Sequence, residues 1–115
     1  MQMIPPGEYI QVRNQTSSKV DDLCYAYDSF EYAMKPVPAA RKENFMIITS
    51  LLKEDHDLVF YFKHEPSKKF VFSAAVKKMT PDSMWTYFFT KIVETDGILT
   101  VEHDPEAEAE HYAFT

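Results

Sequence analysis

Between Asn44 and Asp104 the sequence alternates apolar runs with short turn-forming segments, and this alternation constrains the fold more than any other feature. The runs are NFMIITSLLK, LVFYFKH, FVFSAAVKK, MWTYFFTKIVE and ILTVEHD, and the segments EDHD, EPSKK, TPDS and TDG separate them. Short apolar runs bounded by Gly, Pro, Asp and Ser are typical of strands joined by tight turns. Asp96-Gly97 favours a hairpin, because a type I′ turn needs a positive φ at both central residues. The sequence therefore predicts an antiparallel β-meander.

One more strand is predicted at the start of the chain, in the segment GEYIQVR. Here Ile10 and Val12 alternate with polar and aromatic residues, so that one face of the strand is buried. Together these segments predict a meander of about five to six strands.

The segment Ser83–Thr95 fits two descriptions. Thr80 and Pro81 could begin a helix there, because proline suits the first helical position. The segment is nevertheless rich in Trp, Thr, Tyr, Phe, Ile and Val, which favour strands through side-chain packing. We therefore expect a strand.

An amphipathic helix is predicted over Ser18–Lys35. Apolar residues recur there at helical spacing, and Pro36 disfavours helical geometry at Lys35, which ends the element. The apolar residues are Val20, Leu23, Tyr27, Phe30 and Met34. At the other end of the chain, Asp104-Pro105-Glu106 predicts the start of a short C-terminal helix.

The expected architecture is a single α+β domain over residues 1–115, with the meander packed against the helix over Ser18–Lys35.

The chain has two glycines, Gly7 and Gly97, which argues against a phosphate-binding glycine loop. Its one cysteine, Cys24, the absence of a signal peptide and the shortness of its apolar runs predict a cytoplasmic or nuclear protein without a membrane span. The sequon Asn14-Gln15-Thr16 is interpreted as coincidental in that setting.

The net charge is −6, and residues 92–115 contain acids but no Lys or Arg. An acidic surface argues against direct nucleic-acid binding, whose affinity comes from neutralising phosphates. It favours solubility or a protein partner with a basic surface.

No catalytic or metal-binding motif is present, and no cofactor is expected. Cys24 is expected to be buried and inert, because nearby acids disfavour its thiolate. The four histidines are expected in solvated turns, since their spacing does not bring metal ligands together. They are His56, His64, His103 and His111.

A partner-binding stripe is predicted on the exposed side of the helix, where Asp21, Tyr25, Asp28 and Tyr32 are spaced by four, three and four residues. Tyrosine supplies a large contact area at small entropic cost, and acids would select a basic partner. The acidic C-terminal segment is the second candidate surface. It comprises Glu102, Asp104, Glu106, Glu108 and Glu110.

The sequence thus predicts a small acidic, non-enzymatic protein-binding module, a profile shared by inhibitors, immunity proteins, antitoxins, chaperones and viral accessory proteins. Its acids could imitate nucleic acid on a basic partner. Two alternatives stay open: a homodimer, and a small enzyme whose site joins distant residues. In the enzyme, His64 or His103 would act with Glu65, Glu102 or Tyr61.

Overall fold

The computed structural model describes residues 7–49, 52–78 and 85–113, and within them the chain is mostly β. The strands are β1 (Gly7–Asn14), β2 (Leu23–Tyr27), β3 (Phe30–Ala33), β4 (Lys42–Ile48), β5 (His56–Phe62), β6 (Glu65–Val76), β7 (Thr86–Thr95) and β8 (Ile98–His103). One helix follows them, α1 (Pro105–Ala113).

The described strands form two four-stranded sheets rather than one meander. The first sheet has the order β4-β1-β7-β8, and the second has the order β3-β2-β5-β6. Strand β1 pairs in parallel with β7, whereas the other strand pairs are antiparallel. The α+β class with antiparallel pairing is therefore right. The single meander of five to six strands is wrong, because the chain crosses between the sheets after β1, β3, β4 and β6.

The two sheets pack face to face around a common apolar core. Ile10, Val12 and Ile92 of the first sheet belong to the same buried cluster as Leu58 and Phe60 of the second. Alternate residues of each strand point to one face, so a half-buried strand contributes every second side chain to this core. The Ile10 and Val12 face predicted from sequence is confirmed, since both side chains are fully buried.

The predicted helix over Ser18–Lys35 is wrong, because the chain there forms the β2–β3 hairpin. The two-residue turn Asp28-Ser29 joins the strands, and Asp28 takes a positive φ of 53°, which suits tight hairpin turns. The strand sequences LCYAY and FEYA consist mainly of aromatic and other weak helix formers, so packing in a sheet prevails.

The predictions at the C-terminal end are confirmed. Strand β7 occupies the ambiguous segment from Thr86 onwards, and Asp96 and Gly97 both have positive φ, at 53° and 78°. Helix α1 begins after Asp104, whose Oδ1 accepts the Ala107 N–H at 3.1 Å as an N-cap. The turn-forming segment TPDS lies outside the described residues.

Asn14 fastens the end of β1 to the loops beside it. Its buried amide donates to the carbonyl oxygens of Ser18 and Val37, at 2.8 and 2.9 Å, and its Oδ1 accepts from the Thr16 N–H and hydroxyl. Both amide hydrogens are used in this way. The sequon is therefore inaccessible in the folded chain, because the nitrogen that would carry a glycan is enclosed.

Candidate functional site

An aromatic row crosses the second sheet on its core-facing side. Tyr32 of β3 pairs with Tyr25 of β2, Tyr25 pairs with Phe60 of β5, and Phe60 pairs with Phe70 of β6. Residues directly opposite each other on paired strands lie on the same face. The row therefore begins inside the core at Phe60 and continues outwards to the edge of the sheet.

The first sheet covers this row only as far as Tyr25. Phe45 of β4 stacks on Tyr25 with ring centroids 3.9 Å apart, and β4 is the edge strand of its sheet. Beyond it, no described strand of the first sheet covers the core-facing side of the hairpin. Phe30 and Tyr32 consequently leave 46% and 43% of their surface exposed.

We call the four aromatic residues on this face of the β2–β3 hairpin the aromatic ledge: Tyr25, Tyr27, Phe30 and Tyr32. Their rings pack against one another, with centroids 5.3 Å apart for Tyr25 and Tyr32 and 5.6 Å apart for Tyr27 and Phe30. Phe30 and Tyr32 lie nearly parallel, at an interplanar angle of 13°. The ledge is thus an ordered apolar surface rather than a set of separate side chains.

The hydroxyl groups of Tyr25 and Tyr27 stay protonated far above neutral pH. Burial raises the pKa of Tyr27 to about 12, with a further contribution from the neighbouring Tyr32. Burial also raises the pKa of Tyr25, again with a contribution from Tyr32. The ledge therefore presents uncharged rings and O–H groups to a partner. The charges near it belong to neighbouring residues.

Within the described chain, strand β3 has an unpaired backbone edge, and charged residues lie at both ends of the aromatic ledge. Among the described strands, β3 pairs only with β2, so its other edge is open. Asp28 is exposed in the turn at one end of the ledge. At the other end, a recess of about 310 Å³ between the hairpin and β4 is bordered by Lys35 and Glu43.

The structure brings Tyr25 and Tyr32 together, as predicted, but as a cross-strand pair instead of along a helix. Asp28 lies in the turn beside them, and Asp21 is exposed before β2. The sequence pattern missed the half-buried Tyr27 and the exposed Phe30 as members of this surface, because helical spacing assigns them to the core. Period-two alternation on either side of Asp28-Ser29 places all four rings on one face.

The acidic C-terminal segment is only partly a free surface. Asp104 is fully buried and receives two hydrogen bonds from Arg13, so it stabilises the fold and cannot contact a partner. Glu106 lies 3.6 Å from the same Arg13 guanidinium, and Glu108 lies 2.9 Å from His103. Glu102 and Glu110 are exposed.

The histidine site of the enzyme alternative is not assembled in the predicted way. His64 pairs with Asp22, and Tyr61 donates to Glu31, so neither joins Glu65 or Glu102. His103 pairs with Glu108. Cys24 is buried as expected, and burial raises the pKa of its thiol, which disfavours the reactive thiolate.

A groove of about 460 Å³ lies at the opposite edge of the sandwich, where β6 faces β7. Its lining includes Glu8 of β1, whose carboxyl group is almost entirely buried, and the exposed His103 of β8. Burial raises the pKa of Glu8 to about 7. Sequence inspection missed Glu8, although its alternation with Ile10 and Val12 places a carboxyl group on the buried face.

The described residues contain no cluster of three or more His, Cys, Asp or Glu side chains that could hold a metal ion. Among the same residues, no helix has the length and apolar character needed to cross a membrane.

Comparisons with known proteins leave the family open. No family model matches the sequence, and no curated protein matches it. Among solved structures, the chain is similar to the NMR structure of a protein from Eubacterium rectale. The two share 14% sequence identity over 84% of this chain and 87% of the other, with a TM-score of 0.45.

Proposed function

We propose that this chain is a small acidic, non-enzymatic protein-binding module that captures an extended basic segment of a protein partner on the aromatic ledge. The observation that carries the proposal is the exposure of Phe30 and Tyr32 on the face that forms the core elsewhere in the same sheet. An apolar segment laid on this face would continue the core and remove both rings from water.

The open edge of β3 supports an extended conformation for the bound segment. A peptide that adds a strand to a sheet edge gains backbone hydrogen bonds, and its alternate side chains contact one face of the sheet. On β3 that face is the ledge, since Phe30 and Tyr32 both belong to it. Among the described strands β3 has no partner on its outer edge. A bound peptide would therefore add a strand to the sheet without displacing an existing one.

The charges favour a basic segment. The chain carries a net charge of −6, and Asp28, which is exposed and lies 3.9 Å from His56 Nε2, stands at the turn next to Phe30. Arginine stacks well on aromatic rings and pairs with carboxylates, so an arginine near the turn would use both features. Lys35 at the other end of the ledge favours an acidic or neutral residue there, which gives the bound segment a preferred direction.

Imitation of nucleic acid by the C-terminal acids is the weaker version of this proposal. A phosphate-like row requires several free carboxylates, whereas Asp104 is buried and Glu106 and Glu108 lie beside Arg13 and His103. The compartment in the proposal is the cytoplasm or nucleus, supported by the single cysteine.

The proposal can be tested with short synthetic peptides that alternate arginine with valine, compared with peptides that alternate glutamate with valine. Binding is followed by amide NMR shifts of isotopically labelled protein. We expect the basic peptide to shift the amides of β3 and the acidic peptide to bind about tenfold more weakly or not at all. Added salt should weaken the basic complex, because the attraction is partly exposed to solvent.

The matched variants are Phe30→Ser/Tyr32→Ser and Val71→Ser/Ile98→Ser. Val71 and Ile98 are apolar side chains elsewhere on the sheets that are more exposed than Phe30 and Tyr32, at 56% and 54%, so the second pair controls for a general loss of apolar surface. Only the ledge variant should lose the basic peptide while remaining folded. Equal binding by both variants contradicts the proposal, and so does concentration-dependent self-association through β3 that excludes the peptide.

A further inference from the structure

The groove at the β6–β7 edge has an apolar wall and a carboxyl group in its lining. Phe72 of β6 and Phe88 of β7 meet edge to face, with ring centroids 5.4 Å apart, and both line the groove. Glu8 lines it from β1 with only 3% of its surface exposed. Mostly apolar concavities with a few placed polar groups are typical of small-molecule sites.

The Glu8 carboxyl group is poorly satisfied by the protein. Its Oε1 accepts one long hydrogen bond, from the Lys77 backbone N–H at 3.3 Å. Among the described residues no donor reaches its other oxygen, which is not one of the fully enclosed unpaired atoms and so is accessible from the groove. Buried carboxylates normally have an ionic or hydrogen-bonding partner, so this group has capacity for a donor that enters the groove.

The basic side chains that line the groove lie close to acids other than Glu8. The Lys77 ammonium group lies 3.8 Å from Asp55, and His103 Nε2 lies 2.9 Å from Glu108. Both side chains line the groove, but neither forms an ion pair with Glu8. Burial is the main influence on the pKa of Glu8; the Lys77 N–H and ammonium group lower it and Asp55 raises it. Among the described residues Glu8 has no direct ion pair, so it can accept one from a cationic ligand.

Strand β6 carries a bulge where it lines the groove. Along β5 and β6 the register shifts between the pairs His56–Val76 and Leu58–Phe72, which leaves extra residues on β6. Ala74 in this bulge has a φ of 51°, and its N–H donates to Asp57 Oδ1 at 2.8 Å. Bulges of this kind redirect side chains and are common beside binding sites.

We propose that this groove binds a small organic cation, with its ammonium or amidinium group on Glu8 and its apolar body against Phe72 and Phe88. The proposal is independent of the aromatic ledge, which lies at the opposite edge of the second sheet. The raised pKa of Glu8, about 7, adds a pH dependence. Above this pH the carboxyl group is ionised and pairs with the cation, so affinity should rise from acidic to mildly alkaline solution.

The test uses phenethylamine, benzamidine and agmatine as cations, with 2-phenylethanol as a neutral compound shaped like phenethylamine. Amide NMR titrations of the whole chain at about pH 8.5 and about pH 5.5 report binding at Glu8, Lys77 and Phe88. We expect saturable shifts from at least one cation at the higher pH, and affinity about tenfold weaker at the lower pH or for the alcohol.

Glu8→Gln should abolish the preference for the cation over the alcohol. Glu94→Gln, which removes an exposed acid on β7, should leave that preference unchanged. Equal affinity for amine and alcohol overturns the proposal. The absence of saturable shifts with all three cations, or retention of the preference in Glu8→Gln, also overturns it.

Discussion

Arg13 and Asp104, 91 positions apart in the sequence, form a bidentate ion pair between β1 and the start of α1. Arg13 Nε donates to Oδ2 at 2.9 Å, and Nη2 donates to Oδ1 at 2.8 Å. Oδ1 also accepts the helix-capping hydrogen bond of Ala107. One fully buried carboxylate thus fastens the last described element of the chain to the first.

Removing Asp104 should therefore be strongly destabilising. Asp104→Ala loses an ion pair and a helix cap worth about 1 kcal/mol; disrupting a fully buried pair costs about 3 to 5 kcal/mol, and the loss here should be smaller because the remaining Arg13 is 24% exposed. Chemical denaturation should show the loss in the free energy of unfolding. Glu106→Gln is the matched control, because Glu106 is exposed and lies 3.6 Å from the same guanidinium. Similar losses in the two variants would contradict the role assigned to Asp104.

Arg13→Ala should be destabilising for a related reason, since it leaves a buried carboxylate without its cation. The loss in Arg13→Ala/Asp104→Ala should be smaller than the sum of the two single losses, because the second substitution removes the unpaired charge. Additive losses in a double-mutant cycle would show that the two side chains act separately.

Glu8 should make stability fall as the pH rises. Its pKa is raised from 4.5 to about 7 in the folded chain, so the folded state favours the protonated form. The associated stability is fully present below about pH 4.5 and is lost as the pH rises through about 7. The shift corresponds to at most about 3 kcal/mol. Thermal unfolding across this range should show the decline.

Glu8→Gln should remove that decline, because glutamine does not ionise. The variant should be more stable than the natural chain at about pH 8 and nearly equal to it at about pH 4. Glu94→Gln should follow the natural chain throughout, because Glu94 is exposed. Parallel pH profiles for Glu8→Gln and the natural chain would refute the assignment.

Asn14 should tolerate few substitutions. Asn14→Ala leaves buried carbonyl and N–H groups without partners, which we expect to cost about 2 to 4 kcal/mol of unfolding free energy. Gln15→Ala is the neighbouring control on an exposed side chain and should change stability by less than about 0.5 kcal/mol. Equal effects would mean that Asn14 does not fasten the loops.

Asp28→Gly distinguishes the hairpin from the helix predicted by sequence. In a helix interior the substitution would cost nearly 1 kcal/mol, because glycine is a poor helix former. In the turn, where φ is 53°, glycine relieves the strain of a left-handed residue, so stability should be unchanged or rise by a few tenths of a kcal/mol. Ala26→Gly within β2 should instead destabilise by about 0.5 to 1 kcal/mol. Urea denaturation of both variants provides the measurement.

The local elements of this fold could be predicted from sequence. The Asp96-Gly97 turn and the start of α1 after Asp104 depend on residues within a few positions, and their backbone preferences prevail in the folded chain. The assignment of Thr86–Thr95 as a strand likewise follows from its β-branched and aromatic residues.

The β2–β3 hairpin could not be separated from a helix by periodicity. Leu23, Tyr27, Phe30 and Met34 fit helical spacing, yet the same residues lie on one face of a hairpin whose two-residue turn falls between Tyr27 and Phe30. The two-residue turn changes the spacing between the inward-facing residues of the two strands. These side chains therefore share one face in the hairpin, as they would in a helix. Packing against Phe60 and Phe45 favours the hairpin, and those residues are distant in sequence.

The groove and the division into two sheets depend on long-range pairing, which no local pattern specifies. Glu8 meets the groove because β1 lies beside β7, where Glu8 is in register with Thr86. A carboxyl group on a predicted buried face is a visible anomaly in the sequence. Its surroundings become known only when the sheet is assembled.

The central position of β1 has a consequence for how the chain can be built during synthesis. Its backbone bonds β4 on one side and β7 on the other, and the β7 residues follow about 80 positions later, as in the pair Glu8 and Thr86. About 80 further residues must therefore emerge from the ribosome before β1 can pair with its second neighbour. Pairing at such separation is slow, and until β7 arrives that strand edge can bind other chains. Any cellular factor that assists this protein should engage the nascent chain before β7 emerges.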